Sequence, residues 1–131
     1  MDNEKKLVIE RWLIKADNDL RSAHNDLSDV RPITDTACFH AQQCAEKCLK
    51  AFLAYVDEHI EKTHSLTRLV NVCCRYDEEF VEFRELLAGL TRYAVASRYL
   101  ENWREIPVEE AEEAVVNAEK VMEFVKNKLN I

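Results

Sequence analysis

One glycine and two prolines are all that punctuate this 131-residue chain. A β-rich fold needs many tight turns, and turns draw on glycine and proline. So little punctuation implies long helices joined by few connections. No apolar run approaches the ~20 residues that a membrane-spanning helix requires. The opening Met1-Asp2-Asn3-Glu4-Lys5-Lys6 has no apolar core of the kind a secretion signal carries. A cytoplasmic location is therefore expected, and with it five reduced cysteines (Cys38, Cys44, Cys48, Cys73 and Cys74). Basic excess is also missing. The formal net charge is -7, which argues against wholesale nucleic-acid binding by bulk charge but leaves room for a local basic site.

The residues present suit a soluble globular chain, 47% hydrophobic and 33% charged. The length fits a single domain over residues 1–131 that buries about two thirds of its unfolded surface. Ile9, Trp12, Leu13, Ala16, Leu20, Ala23 and Leu27 recur at helical spacing and predict a helix over about 4–28, with Asp17 and Arg21 as an i, i+4 pair. Arg31-Pro32 breaks it. Thr34, Asp35 or Thr36 is a candidate cap for a second helix running to about Asp57. Thr63 or Ser65 suits the start of a short third helix through Leu66, Leu69, Val70 and Cys73. Phe80, Phe83, Leu87, Leu90 and Ala94 predict a fourth over about 77–96, with Gly89 inside it. A glycine there costs about 1 kcal/mol against alanine, which a close packing contact would explain. Arg98 to Ile106 reads as a connection. Pro107 then opens a last helix whose Val108, Ala111, Val115, Ala118, Met122, Val125 and Leu129 form one seam. The expected fold is all-α: an antiparallel up-and-down four-helix bundle with one additional short helix.

Little of the usual catalytic apparatus is visible. A single glycine cannot build a phosphate-cradling loop. The cysteines fall on apolar helix positions, as small core residues do, and the four histidines show no metal-binding spacing, so no metal or cofactor is expected. Three polar groups remain. His40, Gln43, Lys47 and Lys50 line one side of the second helix at i, i+3, i+7 and i+10, beside the apolar Ala41, Cys44, Ala45, Cys48 and Phe52. Lys62 and His64 precede the third helix. Arg92, Tyr93, Arg98 and Tyr99 surround the end of the fourth. Each group pairs a cation with a side chain that hydrogen-bonds or stacks, as a phosphate and a base would need. The plain alternative for each is a solvated face or a helix cap, with Glu46–Lys50 already an i, i+4 pair.

The run Phe39-His40-Ala41-Gln42-Gln43-Cys44-Ala45-Glu46-Lys47-Cys48-Leu49-Lys50-Ala51 closely resembles the helix-two signature of HEPN domains (higher eukaryotes and prokaryotes nucleotide-binding). Asp19-Leu20-Arg21-Ser22-Ala23 is similar to the family's first-helix motif, and Lys62-Thr63-His64-Ser65-Leu66 to its Lys-Thr-His-x-Leu element. Tyr93-Ala94-Val95-Ala96-Ser97-Arg98-Tyr99 resembles its Tyr-x-x-x-x-Arg-Tyr segment, although Leu100 stands where proline is common. The resemblance implies a four-helix bundle with a short extra helix, usually a homodimer. It also implies association with nucleotides or RNA, often beside a small nucleotidyltransferase partner. Many such domains are metal-independent ribonucleases and toxins of toxin–antitoxin pairs, using an arginine followed four to six residues later by a histidine. This chain departs from that pattern. Its last histidine is His64, so none follows Arg98; Arg21 is followed by His24 and Arg31 by His40, at the wrong separations. The implied function is a nucleotide-binding or nucleotidyltransferase-partner module, with a ribonuclease toxin using His40 or His64 with Arg98 as the alternative. The aromatic residues Trp12, Trp103, Phe80 and Phe83 add the expectation of a dimer interface.

Overall fold

The computed structural model describes residues 1–94 and 103–131. Helix α1 spans Asn3–Ser28, α2 Thr34–Tyr55, α3 Leu66–Cys74, α4 Arg84–Thr91 and α5 Val108–Leu129. Short 3₁₀ segments occupy Glu78–Phe83 and Arg92–Ala94. No strand occurs among the described residues.

Contacts between helix ends set the directions. Lys5 near the start of α1 reaches Asp57 just past the end of α2, at 3.0 Å. Thr36 at the start of α2 donates to Asp26 near the end of α1, at 2.8 Å. These two helices therefore run antiparallel. Phe80 then packs between Phe52 of α2 and Phe124 of α5, with ring centroids 4.5 and 4.9 Å apart. Tyr93, at the other end of the 78–94 stretch, bonds Glu110 at the start of α5. The 78–94 stretch is thus the third rod of the bundle and α5 the fourth, with α3 the additional short helix.

The apolar stripes read from the sequence meet in one core. Ile9, Leu13, Ala16 and Ala23 of α1 pack with Cys44, Cys48, Leu49 and Phe52 of α2 and with Ala111, Val115, Ala118, Val121 and Val125 of α5. Val108, the first residue of the predicted α5 seam, lies instead on the surface. The many alanines and cysteines on α2 let both long neighbours approach closely. Burial drives the Cys38 thiol up to about 12, and burial likewise raises Cys73. Both are protonated, inert core groups at neutral pH.

Several local expectations differ from the structure. The cap of α2 falls on Ile33 without a side-chain hydrogen bond, because Asp35 turns to the amide of Thr36 instead. Its helix ends at Tyr55, where Asp57 takes a left-handed backbone that aspartate tolerates. Asp17 and Arg21 both point outward without forming the expected ion pair. Ser65 does cap α3, accepting from the amide of Arg68.

The largest difference is the predicted 77–96 helix, which is broken at both ends. Asp77 caps a 3₁₀ turn by accepting from Glu79, and in 3₁₀ geometry residues three apart eclipse. That brings Phe80 and Phe83 onto one side, where both meet Phe124, the latter pair at 4.5 Å. Of the four aromatic residues expected at a dimer interface, Phe80 is accordingly buried within this chain.

Gly89 is not explained by close packing: among the described residues, a β-carbon built on it meets no neighbouring atom within 4 Å. It lines an open groove of about 540 Å³ between α4 and α5. Gly89→Ala is therefore expected to stabilise the protein by about 1 kcal/mol, because the helix gains propensity and nothing clashes. Urea denaturation checks this, and a destabilised variant would show that the groove floor must stay empty.

Candidate functional site

The polar side of α2 splits into two clusters, each organised by a buried acid. The first forms against α1. Asp19 lies on the edge of the α1 stripe, three residues after Ala16, and its side chain is 11% exposed. His40 Nδ1 lies 2.9 Å from one carboxylate oxygen, and the Lys47 ammonium binds the other. His40 is one-third exposed, at 31%. The i, i+7 spacing of His40 and Lys47 stacks them on one face of α2, so a single carboxylate reaches both.

The second cluster forms against the segment before α3. Glu46 is almost fully buried, with 4% of its side chain exposed. It accepts from Lys50 Nζ at 3.0 Å and lies 2.9 Å from His64 Nδ1. Gln42 donates to the His64 backbone carbonyl at 2.9 Å and lies 3.3 Å from Glu46. Gln43 donates to the Gln42 side-chain oxygen at 2.7 Å. The Lys50 ammonium also sits 5.7 Å from the centre of the Trp12 ring, a cation–π distance. The 57–65 segment is thereby fastened to α2 through His64.

Of the residues proposed from sequence, His40, Gln43, Lys47 and Lys50 do share one side of α2. Their polar groups are neither simply solvated nor all available: each bonds an acid or amide of this chain. Lys50 is buried. His64 joins them through Glu46 while most of its ring stays open. Lys62 is exposed, and no ion pair holds it among the described residues. Tyr93 lies apart. It is buried, and its hydroxyl donates to Glu110 at 2.6 Å. Arg98 and Tyr99 lie outside the described residues.

Asp19 and Gln42 carry no role in the sequence reading, and Glu46 carries only its i, i+4 pairing with Lys50, although all three stand inside the family-like motifs. The available signal was position: Asp19 falls on the apolar stripe, where a carboxylate needs a partner.

Glu110 forms a separate clamp. Arg104 donates to both of its oxygens, at 3.1 and 2.6 Å, and Tyr93 donates as well. The Arg104 and Tyr93 hydrogen bonds hold the Glu110 carboxyl below its ordinary range. Burial and Glu110 raise the Tyr93 phenol. A depressed carboxyl adds stability above its unfolded-state value and loses it as pH falls through the folded one. The wild type is therefore expected to lose thermal stability below about pH 4.5 more steeply than Glu110→Gln. Because the pair is partly solvated, the difference should be on the order of a few degrees. Parallel acid-side melting curves would refute the clamp.

Among the described residues, no group of three or more histidine, cysteine or acidic side chains is arranged to hold a metal ion. No described helix is long and apolar enough to cross a membrane.

Comparison with known proteins agrees with this architecture. The model of the HEPN domain family matches residues 9–128. Among solved structures, ST0689, an archaeal HEPN homologue, is similar at 25% identity with a TM-score of 0.74, over 92% of this chain and 96% of that one. TT1696 from Thermus thermophilus is similar at 29% identity with a TM-score of 0.74, over 92% and 97%. No curated protein matches the chain. With a family match across nearly the full length, on a helical bundle with the polar face of its second helix assembled, this chain belongs to the HEPN domain family.

Proposed function

We propose that this chain is a single-domain, cytoplasmic HEPN module that binds a nucleotide or serves a small nucleotidyltransferase partner, and does not itself cleave RNA. The observation that carries this reading is the convergence of His40 and Lys47 on Asp19 at a half-open edge of α2. Lys62 and His64 stand exposed on the segment fastened beside it, and Arg98 and Tyr99 complete the candidate set. The missing Arg-x(4–6)-His spacing favours binding over cleavage, since a ribonuclease needs an imidazole near neutral pKa placed for the 2′-hydroxyl. Calorimetric titration with nucleoside mono- and triphosphates tests the nucleotide part; no heat at millimolar ligand removes it. Co-purification with a nucleotidyltransferase encoded next to it tests the partner part.

A homodimer belongs to the same proposal. Trp103 is 59% exposed, and Trp12 and Phe83 are half-buried, so aromatic surface remains for a second copy. A monomeric mass by light scattering at micromolar concentration would refute it.

The second reading is a ribonuclease toxin of a toxin–antitoxin pair. The carboxylate behind His40 favours it, because an imidazole oriented in this way suits proton transfer. Total RNA cleaved in EDTA by the wild type, but not by His40→Ala or His64→Ala, would establish this reading over the first.

A further inference from the structure

We infer that Asp19 and His40 form an oriented dyad in which His40 Nε2 is offered as a hydrogen-bond acceptor to a ribose hydroxyl of a bound ribonucleotide. The inference rests on the proposed nucleotide binding and names the part of the ligand that this side chain reads.

Three observations lead there. First, an ionised carboxylate has no proton to donate. With His40 Nδ1 2.9 Å from Asp19 Oδ1, the hydrogen between them belongs to the imidazole. Lys47 occupies the other oxygen with an ammonium, which also only donates. In its neutral form the His40 ring is thus held as the Nδ1–H tautomer, with a lone pair on Nε2. Second, that nitrogen has no hydrogen-bond partner among the described residues. Nor is it buried, because no side-chain nitrogen or oxygen that is both buried and unpaired occurs among them. Nε2 therefore keeps some accessible surface on a side chain that is 31% exposed at the α1–α2 seam. Third, the ring is held from a second side. Phe39 meets it edge-on, with centroids 5.6 Å apart, so the direction of Nε2 is set before any ligand arrives.

A preset acceptor calls for a donor, and the donors that every ribonucleotide carries on its sugar are hydroxyls. Phosphate oxygens at neutral pH only accept, and so would meet the remaining hydrogens of Lys47 rather than a neutral His40. Asp19 contacts no ligand in this arrangement; it is a positioning residue acting through His40.

The test has two arms, both at pH 8. Long-range proton–nitrogen correlation spectra of the histidine rings are expected to show His40 protonated at Nδ1 and bare at Nε2. In Asp19→Asn the amide can turn its NH2 to the ring, which reverses the tautomer while the spectrum stays folded. In calorimetry, ATP is expected to bind at least about fivefold more tightly than its 2′-deoxy or its 3′-deoxy analogue, the scale of one hydrogen bond. Asp19→Asn should abolish that preference. A wild-type ring protonated at Nε2 overturns the inference. Equal affinity for ATP and both analogues also overturns it, while leaving the proposed nucleotide binding intact. Failure of all three nucleotides to bind overturns both.

Discussion

Replacing Glu46 by alanine is expected to destabilise this protein by about 3–5 kcal/mol. Glu46 is the acceptor on which Lys50 and His64 converge, with Gln42 beside it. Only 9% of the Lys50 side chain is exposed, so truncating Glu46 strands an ammonium inside the bundle. The nearby Trp12 face compensates only in part. The cost is a large fraction of the roughly 5–15 kcal/mol by which native domains are stable. Urea denaturation at neutral pH measures it, and a loss below about 1 kcal/mol would mean that water reaches Lys50. The double variant Glu46→Leu with Lys50→Met should recover most of the loss, because a well-packed apolar pair avoids desolvating two charges. It should not restore the fastening of the 57–65 segment through His64. Amide hydrogens near His64 should therefore exchange faster in the double variant than in the wild type.

Phe80→Ala is expected to cost about 3–5 kcal/mol, and Phe80→Leu markedly less. Phe80 is almost fully buried. Its ring lies tilted against Phe52 at 55° and edge-on to Phe124 at 87°, both favourable aromatic arrangements. It is also the anchor of a 3₁₀ turn, which has poorer backbone hydrogen bonds than an α-helix and depends more on its side chains. Near-UV circular dichroism and chemical denaturation together read the effect. A small loss with unchanged near-UV signal would mean that Phe83 moves in to refill the site.

Phe80 was legible in the sequence as a core residue, since it stood in a helical apolar series. Its turn geometry was not, because the same spacing of three fits an α-helix and a 3₁₀ turn, and only contact with Phe124 separates them. Glu46 was legible as the partner of Lys50, four residues along one helix. Its link to His64 was not, because it joins residues 18 apart across a loop. Asp19 is harder still. Its partners, His40 and Lys47, sit on a different helix, and no periodicity within α1 reports what will face it.

The sequence by itself determined the helical class, the apolar faces of the long helices and their assembly into a bundle. It also carried the family signature on the second helix. These follow from local information: periodicity, breakers, and the order of short motifs along one chain. Only the tertiary structure decided that the polar side of α2 is organised by two buried carboxylates, one from α1 and one from α2 itself. It also decided that the third rod of the bundle is segmented, and that Gly89 has room above it. Those outcomes depend on which side chain faces which across helices, where burial raises the cost of an unpaired charge and selects its partner.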